Sequence, residues 1–215
     1  MSVGFSLIAT TVCLLIGYPL AYCMSKTKER TRGILMVLLM LPMWISLLIR
    51  TYSLMALLDN GGIVSGFLVK LGFEKLTFIG TEGAVILGMI YDFLPYMVLP
   101  IYTSITKLDR RYVEAAADLG CNNVKTMFRV ILPLTTPGIV SGVTMVFVPS
   151  ISTFYISQKL GGGSFDLIGD IIERQFQNAV TYHTGAAVSL VMMILILISL
   201  AVMNRFTDSQ EDIVV

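Results

Sequence analysis

Long apolar stretches alternate with short polar ones along the chain. Residues 3–24 carry no charged side chain. As a helix rising 1.5 Å per residue, a run of that length crosses the roughly 30 Å hydrocarbon core of a bilayer. Further apolar runs cover 33–58, 83–106, 137–158 and 185–203. The run at 33–58 is read as one span that continues past Arg50, whose long side chain is expected to snorkel to the outer interface. The pattern therefore predicts an all-α membrane protein with about five transmembrane helices, forming a single membrane domain over 1–215. Two loops separate the runs. Residues 59–82 are read as extramembrane, with a short interfacial helix at 63–71. Residues 159–183 hold Gly161, Gly162 and Gly163 and an amphipathic segment at 165–176.

Between the third and fourth runs lies a polar segment, about 107–136, which reads as two short helices and a tight turn. Asp109 can cap the first helix, because its carboxylate accepts the unpaired N–H groups of a first turn. Gly120 ends that helix, since glycine takes the left-handed conformation without steric cost. Asn122 can cap the second, and Pro133 is expected to stop it near Leu132. Thr136 and Pro137 are placed as N-cap and first residue of the next run. Such a rigid hairpin between spans is a docking element by shape.

Composition narrows the class. Of 215 residues, 55% are hydrophobic and 13% charged, more apolar surface than a soluble domain buries. A net charge of +1 gives no reason to expect a nucleic-acid partner. The placement of charge says more. The segments after spans one and three and the C-terminal tail hold ten Lys/Arg, against five in the other loops with Arg50 included. The positive-inside rule then puts the hairpin and the C-terminus in the cytoplasm and the N-terminus outside. No basic region precedes the first run, so it is read as a retained span and not a cleaved leader. An outside N-terminus with almost no leading tail hints at a missing preceding span.

Cys13, Cys23 and Cys121 lack CxxC spacing and a neighbouring His, so they are read as small buried hydrophobes. His183 is the single histidine, which excludes a His-rich metal site and a catalytic His pair. The three glycines near 161 have no GK[ST] sequel, and no Walker motif occurs anywhere. No catalytic residue, cofactor or metal is expected. Pro19, Pro42, Pro95, Pro100 and Pro149 lie within four of the five runs. Each removes a helix hydrogen bond, which suits a bundle that moves as well as ordinary packing kinks.

The hairpin carries Glu114-Ala115-Ala116, three residues, Gly120, nine residues, then Val130-x-Leu132-Pro133. This resembles the EAA loop of type I ABC importer permeases, with Val130 in the place of Ile. Leu48-Ile49-Arg50-Thr51-Tyr52, Leu94 to Tyr102, Pro133 to Gly138 and Phe154 to Ser157 are similar to the spermidine/putrescine branch. The likeness covers nearly the whole chain, which would begin at that branch's second span. The resemblance implies a permease subunit of an ATP-driven importer in the bacterial inner membrane. It implies ATPase subunits that receive the loop through Glu114, Ala115, Ala116, Gly120, Val130, Leu132 and Pro133. A second permease subunit and an extracytoplasmic binding protein complete the implied machine. The cargo is expected to be a polyamine. An iron complex, thiamine or a phosphonate is the alternative cargo, and a non-conducting assembly subunit the alternative role. A secondary transporter is disfavoured, because neither internal repeats nor coupling-ion sites are visible.

Asp92 is the one acid deep in a run, where insertion costs about 2.5–3.5 kcal/mol. On a helix it shares a face with Gly88, Tyr96, Leu99 and Thr103, which suits a cation path with tyrosine faces. A structural carboxyl bonded to a neighbouring helix is the other reading. The fourth run carries a stripe of Ser141, Thr144, Val148, Ser152 and Tyr155, which either faces a path or joins helices. Asp92, Tyr96, Ser152 and Tyr155 are the path candidates. Asp170, Glu173 and Arg174 either meet a binding protein or form a solvated face.

Overall fold

A computed structural model describes residues 1–59, 61–62, 65–66, 78–163, 165–178 and 181–211, with side chains to 201. Every regular element among them is helical. They are α1 (Ser2–Lys26), α2 (Glu29–Trp44), α3 (Leu47–Leu58), α4 (Glu82–Lys107), α5 (Arg110–Asp118) and α6 (Asn123–Thr126). A π turn (Met127–Ile131) follows, then α7 (Leu132–Leu134), α8 (Thr136–Ser152), α9 (Tyr155–Leu160), α10 (Ile168–Gln177) and α11 (Tyr182–Glu211). Most of the interfacial helix expected at 63–71 lies outside the described residues.

Among the described residues, three helical segments are long and apolar enough to cross a membrane: α1, α4 and residues 182–201 of α11. The number rises to five if each of two bent pairs counts as one span. Two of the predicted runs are sharply bent or interrupted. The run at 33–58 breaks at Ile45 and Ser46, both extended, and α3 leaves α2 at 99°. The run at 137–158 ends at Ser152 and restarts at Tyr155. Each break falls within four residues beyond a proline, Pro42 or Pro149. Pro19, Pro95 and Pro100 are carried inside α1 and α4, which remain continuous.

Pro133 also departs from expectation. It does not stop its helix, because the preceding turn widens to π geometry before α7. The wider turn gives room to a residue that has no N–H and crowds the carbonyl four places back. The chain instead breaks at Thr135 (φ −99°, ψ 5°), so Thr135 and not Thr136 is the N-cap, and its side chain makes no cap bond. The helices on either side meet at 67°.

The core is the packing of α1, α4 and α8. Ala9, Cys13 and Ala21 of α1 are fully buried with Val85, Met89, Met97, Val98 and Ile101 of α4 and Val146 of α8. Small residues let the backbones approach, as in membrane bundles generally. A Cβ placed on Gly138 would lie 2.9 Å from the Pro100 carbonyl oxygen. One on Gly142 would lie 3.0 Å from that of Met97. These two glycines form a G-x-x-x-G pair on α8. Of the cysteines, only Cys13 is buried, and Cys23 is exposed, because it faces away from α4 on the outer side of α1. α11 is largely exposed, with Leu190, Val191, Leu195 and Ile198 each more than half open.

Gly142→Val should therefore wedge α8 from α4. Overpacking of this kind costs about 1–3 kcal/mol. The purified protein in detergent should melt several degrees lower, and an unchanged melting temperature would refute the close approach.

Candidate coupling hairpin and substrate path

The hairpin is built by local hydrogen bonds. The Asp109 carboxylate accepts from the Arg111 N–H at 3.0 Å and caps α5. At the other end the Gly120 N–H donates to Ala117 O (2.9 Å) and the Cys121 N–H to Ala116 O (3.0 Å). That paired closure requires a left-handed residue, and Gly120 supplies it with φ +76°. The Asn122 side-chain oxygen then accepts from the Lys125 N–H at 2.8 Å and caps α6. Both caps and the glycine turn lie where the sequence places them.

One face of the hairpin holds it to the membrane helices. Ala116, Thr126 and Ile131 are buried, and Val130 and Leu132 are half-buried. Thr135 at the exit is fully buried, and its hydroxyl lies 3.0 Å from the Tyr18 hydroxyl of α1. The same hydroxyl donates to Ile131 O at 2.8 Å. Much of the rest of the hairpin is open. Glu114, Ala115, Gly120 and Pro133 are exposed. So are large apolar side chains: Leu119 (84%), Phe128 (65%), Val124 (63%) and Tyr112 (53%). Sequence reasoning missed this apolar ridge. Its signal was present as bulky apolar residues in an otherwise polar segment, two of them four apart on one helix face. Glu114 also borders an open cavity of about 470 Å³ at the ends of α1 and α4, together with Lys26, Arg32 and Arg110.

Asp92 is buried, only 2% exposed, and pairs with Arg50 Nη1 at 3.0 Å. Arg50 is 7% exposed. It does not snorkel: the bend at Ser46 turns α3 so that the guanidinium meets α4. The same Nη1 makes a long contact, 3.5 Å, with the Asp92 backbone oxygen. Arg50 Nε and Asp92 Oδ1 have no well-directed hydrogen bond, so the pair is held chiefly by charge. Of the other residues on the Asp92 face, Gly88 packs under Leu160 and Ile156 of α9, while Thr103 is exposed. Tyr96 is half-buried, with its ring 6.4 Å from that of Phe93.

The stripe predicted on the fourth run is interrupted by the break at Thr153. Ser141, Thr144 and Ser152 return their hydroxyls to carbonyls of their own helix, and Ser152 is exposed. Tyr155 belongs to α9 and meets Tyr52 of α3 edge-to-face, with centroids 6.1 Å apart. Asp170 is not on a solvated face. It is 5% exposed and accepts from the Ser157 hydroxyl (2.7 Å) and the Leu167 N–H (2.8 Å). Burial pushes its carboxyl above the usual range, and those hydrogen bonds oppose the rise. Arg174 is exposed and pairs with Asp166 at 2.8 Å. No group of three or more potential metal ligands occurs among the described residues.

Residues 14–211 match the family described as binding-protein-dependent transport system inner membrane component. The chain is 42% identical over 206 residues to the spermidine/putrescine transport system permease protein PotB of Haemophilus influenzae, covering 95% of this chain and 72% of that one. It is 41% identical to the protein of the same name from Escherichia coli, covering 95% and 75%. An inner membrane ABC transporter permease of Escherichia coli, YdcU, is 30% identical over 91% of this chain and 67% of its own. Among solved structures, a bacterial ABC transporter that imports the acidic polysaccharide alginate aligns with TM-score 0.77 at 17% identity, covering 97% and 78%. The inward-facing methionine ABC transporter MetNI aligns at 0.69 and 17%, covering 97% and 92%. At that identity the structural likeness speaks for the fold.

The buried pair yields a stability test. Arg50→Met leaves Asp92 charged and unpaired, a change that typically costs about 3–5 kcal/mol. Folded protein recovered from membranes should fall sharply. The double variant R50M/D92L removes both charges and should recover most of the loss. Equal losses in the single and double variants would exclude the pairing.

Proposed function

The chain belongs to the binding-protein-dependent transport system inner membrane component family, and we propose that it is the permease subunit of an ATP-driven polyamine importer. The observation that carries the coupling role is the capped hairpin. It exposes Glu114, Ala115, Gly120 and several large apolar side chains, while its exit is tied to α1 through Thr135 and Tyr18. Glu114, Ala115, Ala116, Gly120, Val130, Leu132 and Pro133 form its coupling element. The exposed members and the ridge dock into a cleft of an ATPase subunit, and the half-buried Val130 and Leu132 pass the motion inward. A rigid hairpin suits this task, because the caps at Asp109 and Asn122 and the turn at Gly120 fix its two helices relative to each other. No Walker motif is present, so hydrolysis is assigned to that partner.

Polyamine cargo is supported by the spermidine/putrescine relatives at 41–42% identity. Asp92, Tyr96, Ser152 and Tyr155 are proposed for the path. Tyr155, beside Tyr52, is the best placed of them in this conformation. Asp92 acts there through Arg50, which occupies its charge. The excess of basic residues around 26–32 and 107–129 supports a cytoplasmic hairpin and C-terminus with the N-terminus outside. The chain works as one membrane domain over 1–215, beside a second permease subunit, and receives cargo from an extracytoplasmic binding protein.

The test is ATP-dependent uptake in proteoliposomes that contain both permeases and the ATPases, with a loaded binding protein. Labelled spermidine and putrescine should accumulate, and unlabelled polyamine should compete. Competition by an iron complex, thiamine or a phosphonate alone would overturn the cargo assignment. Glu114→Lys and Leu119→Asp should each lower uptake more than about tenfold, the loss expected when a buried interface contact worth roughly 1.4 kcal/mol or more is removed. Both should leave membrane insertion intact and reduce co-purification of the ATPase. Normal uptake in both would overturn the docking assignment.

A further inference from the structure

Lys159 lies one residue before the end of the short helix α9. Its ammonium is 5.3 Å from the Tyr52 ring centroid and 5.8 Å from that of Tyr155. The two rings stand edge-to-face, so one ammonium is shared between them. Among the described residues, no carboxylate forms an ion pair with Lys159. The cation is therefore held by aromatic faces, which attract any protonated amine. Nothing in such a site is specific to the lysine backbone that delivers it.

The surroundings let the amine leave while the site stays. Ile156 and Leu160 of α9 are fully buried, and Leu160 O accepts from the Gly80 N–H at 2.8 Å. The body of α9 is thus anchored, and Lys159 occupies the tyrosines only by its flexible four-carbon stem. Tyr52 is half exposed, so the site opens to the outside of the subunit. The other cation on this bend, Arg50, is already committed to Asp92 and cannot take the place of Lys159.

We propose that Tyr52 and Tyr155 form an ammonium-binding subsite of the path, filled in this conformation by Lys159 as a tethered occupant that an amine cargo must displace. The inference deepens the polyamine reading and rests on it for the identity of the cargo. Lys159 is then a selectivity residue. A cargo without a cationic amine gains nothing by displacing it, whereas an alkylammonium replaces one cation–aromatic contact by another. A tethered amine competes at an effective concentration in the millimolar range, so only cargo delivered at high local concentration succeeds.

The test is direct binding to the assembled complex of permeases and ATPases in nanodiscs, without binding protein. The probes are labelled spermidine and labelled tetramethylammonium. K159Q should bind both on the order of fivefold more tightly than wild type, as expected when a competitor held by two aromatic contacts is removed. K159R retains a tethered cation and should bind like wild type. Y52L/Y155L in the K159Q background should lose the gain, while intact assembly is verified by size-exclusion chromatography. Equal binding by wild type and K159Q, or retention of the gain in the leucine variant, would overturn the proposal. Failure of the cargo reading is separable. It would appear as no ATP-dependent spermidine uptake by the wild-type complex, with the tetramethylammonium difference between wild type and K159Q intact.

Discussion

The close contact of α8 with α4 is the constraint on which the other features depend. Gly138 and Gly142 bring the α8 backbone against the carbonyls of Pro100 and Met97. In an apolar solvent there is little hydrophobic gain from pairing two apolar helices, so contact of this kind carries the association. α4 thereby becomes the fixed axis of the subunit. Its first half holds Asp92, and its end delivers Asp109 to cap the hairpin. α8 returns from the hairpin at Thr135. The two sites are linked through one pair of helices.

Charge is handled within the subunit. The acid deep in a span, Asp92, meets Arg50, a base carried into the bundle by the bend at Ser46. Neither would be stable in that place alone. Their contact is electrostatic and poorly directed, with Arg50 Nε left unpartnered. A pair of this kind contributes little net stability but strongly penalises any arrangement that separates it. It therefore fixes α3 on α4 and, with it, the position of Tyr52 against Tyr155.

At the other end, the hydroxyl pair of Tyr18 and Thr135 ties the hairpin exit to α1. The pair sits at the 67° break, where the π turn has already absorbed Pro133.

Much of this was legible in the residues alone. Asp109, Gly120 and Asn122 act through bonds to neighbours two to five residues away, so their roles follow from order in the chain. The helical class follows likewise, because an apolar run must satisfy its own backbone. Which prolines mark a sharp break was not legible. Proline marks Pro42 and Pro149 no differently from Pro19 or Pro100, and only packing decides whether a helix carries the residue or breaks after it. The Arg50–Asp92 pair depends on such a bend. A guanidinium forty-two residues away in sequence reaches the carboxyl only once α3 has turned at 99°. The same turn places Tyr52 and Lys159 together. Local hydrogen bonding and hydropathy thus determined the helices and the hairpin from sequence. Which charges and rings meet was decided by tertiary structure, because those contacts join segments whose relative direction no local rule sets.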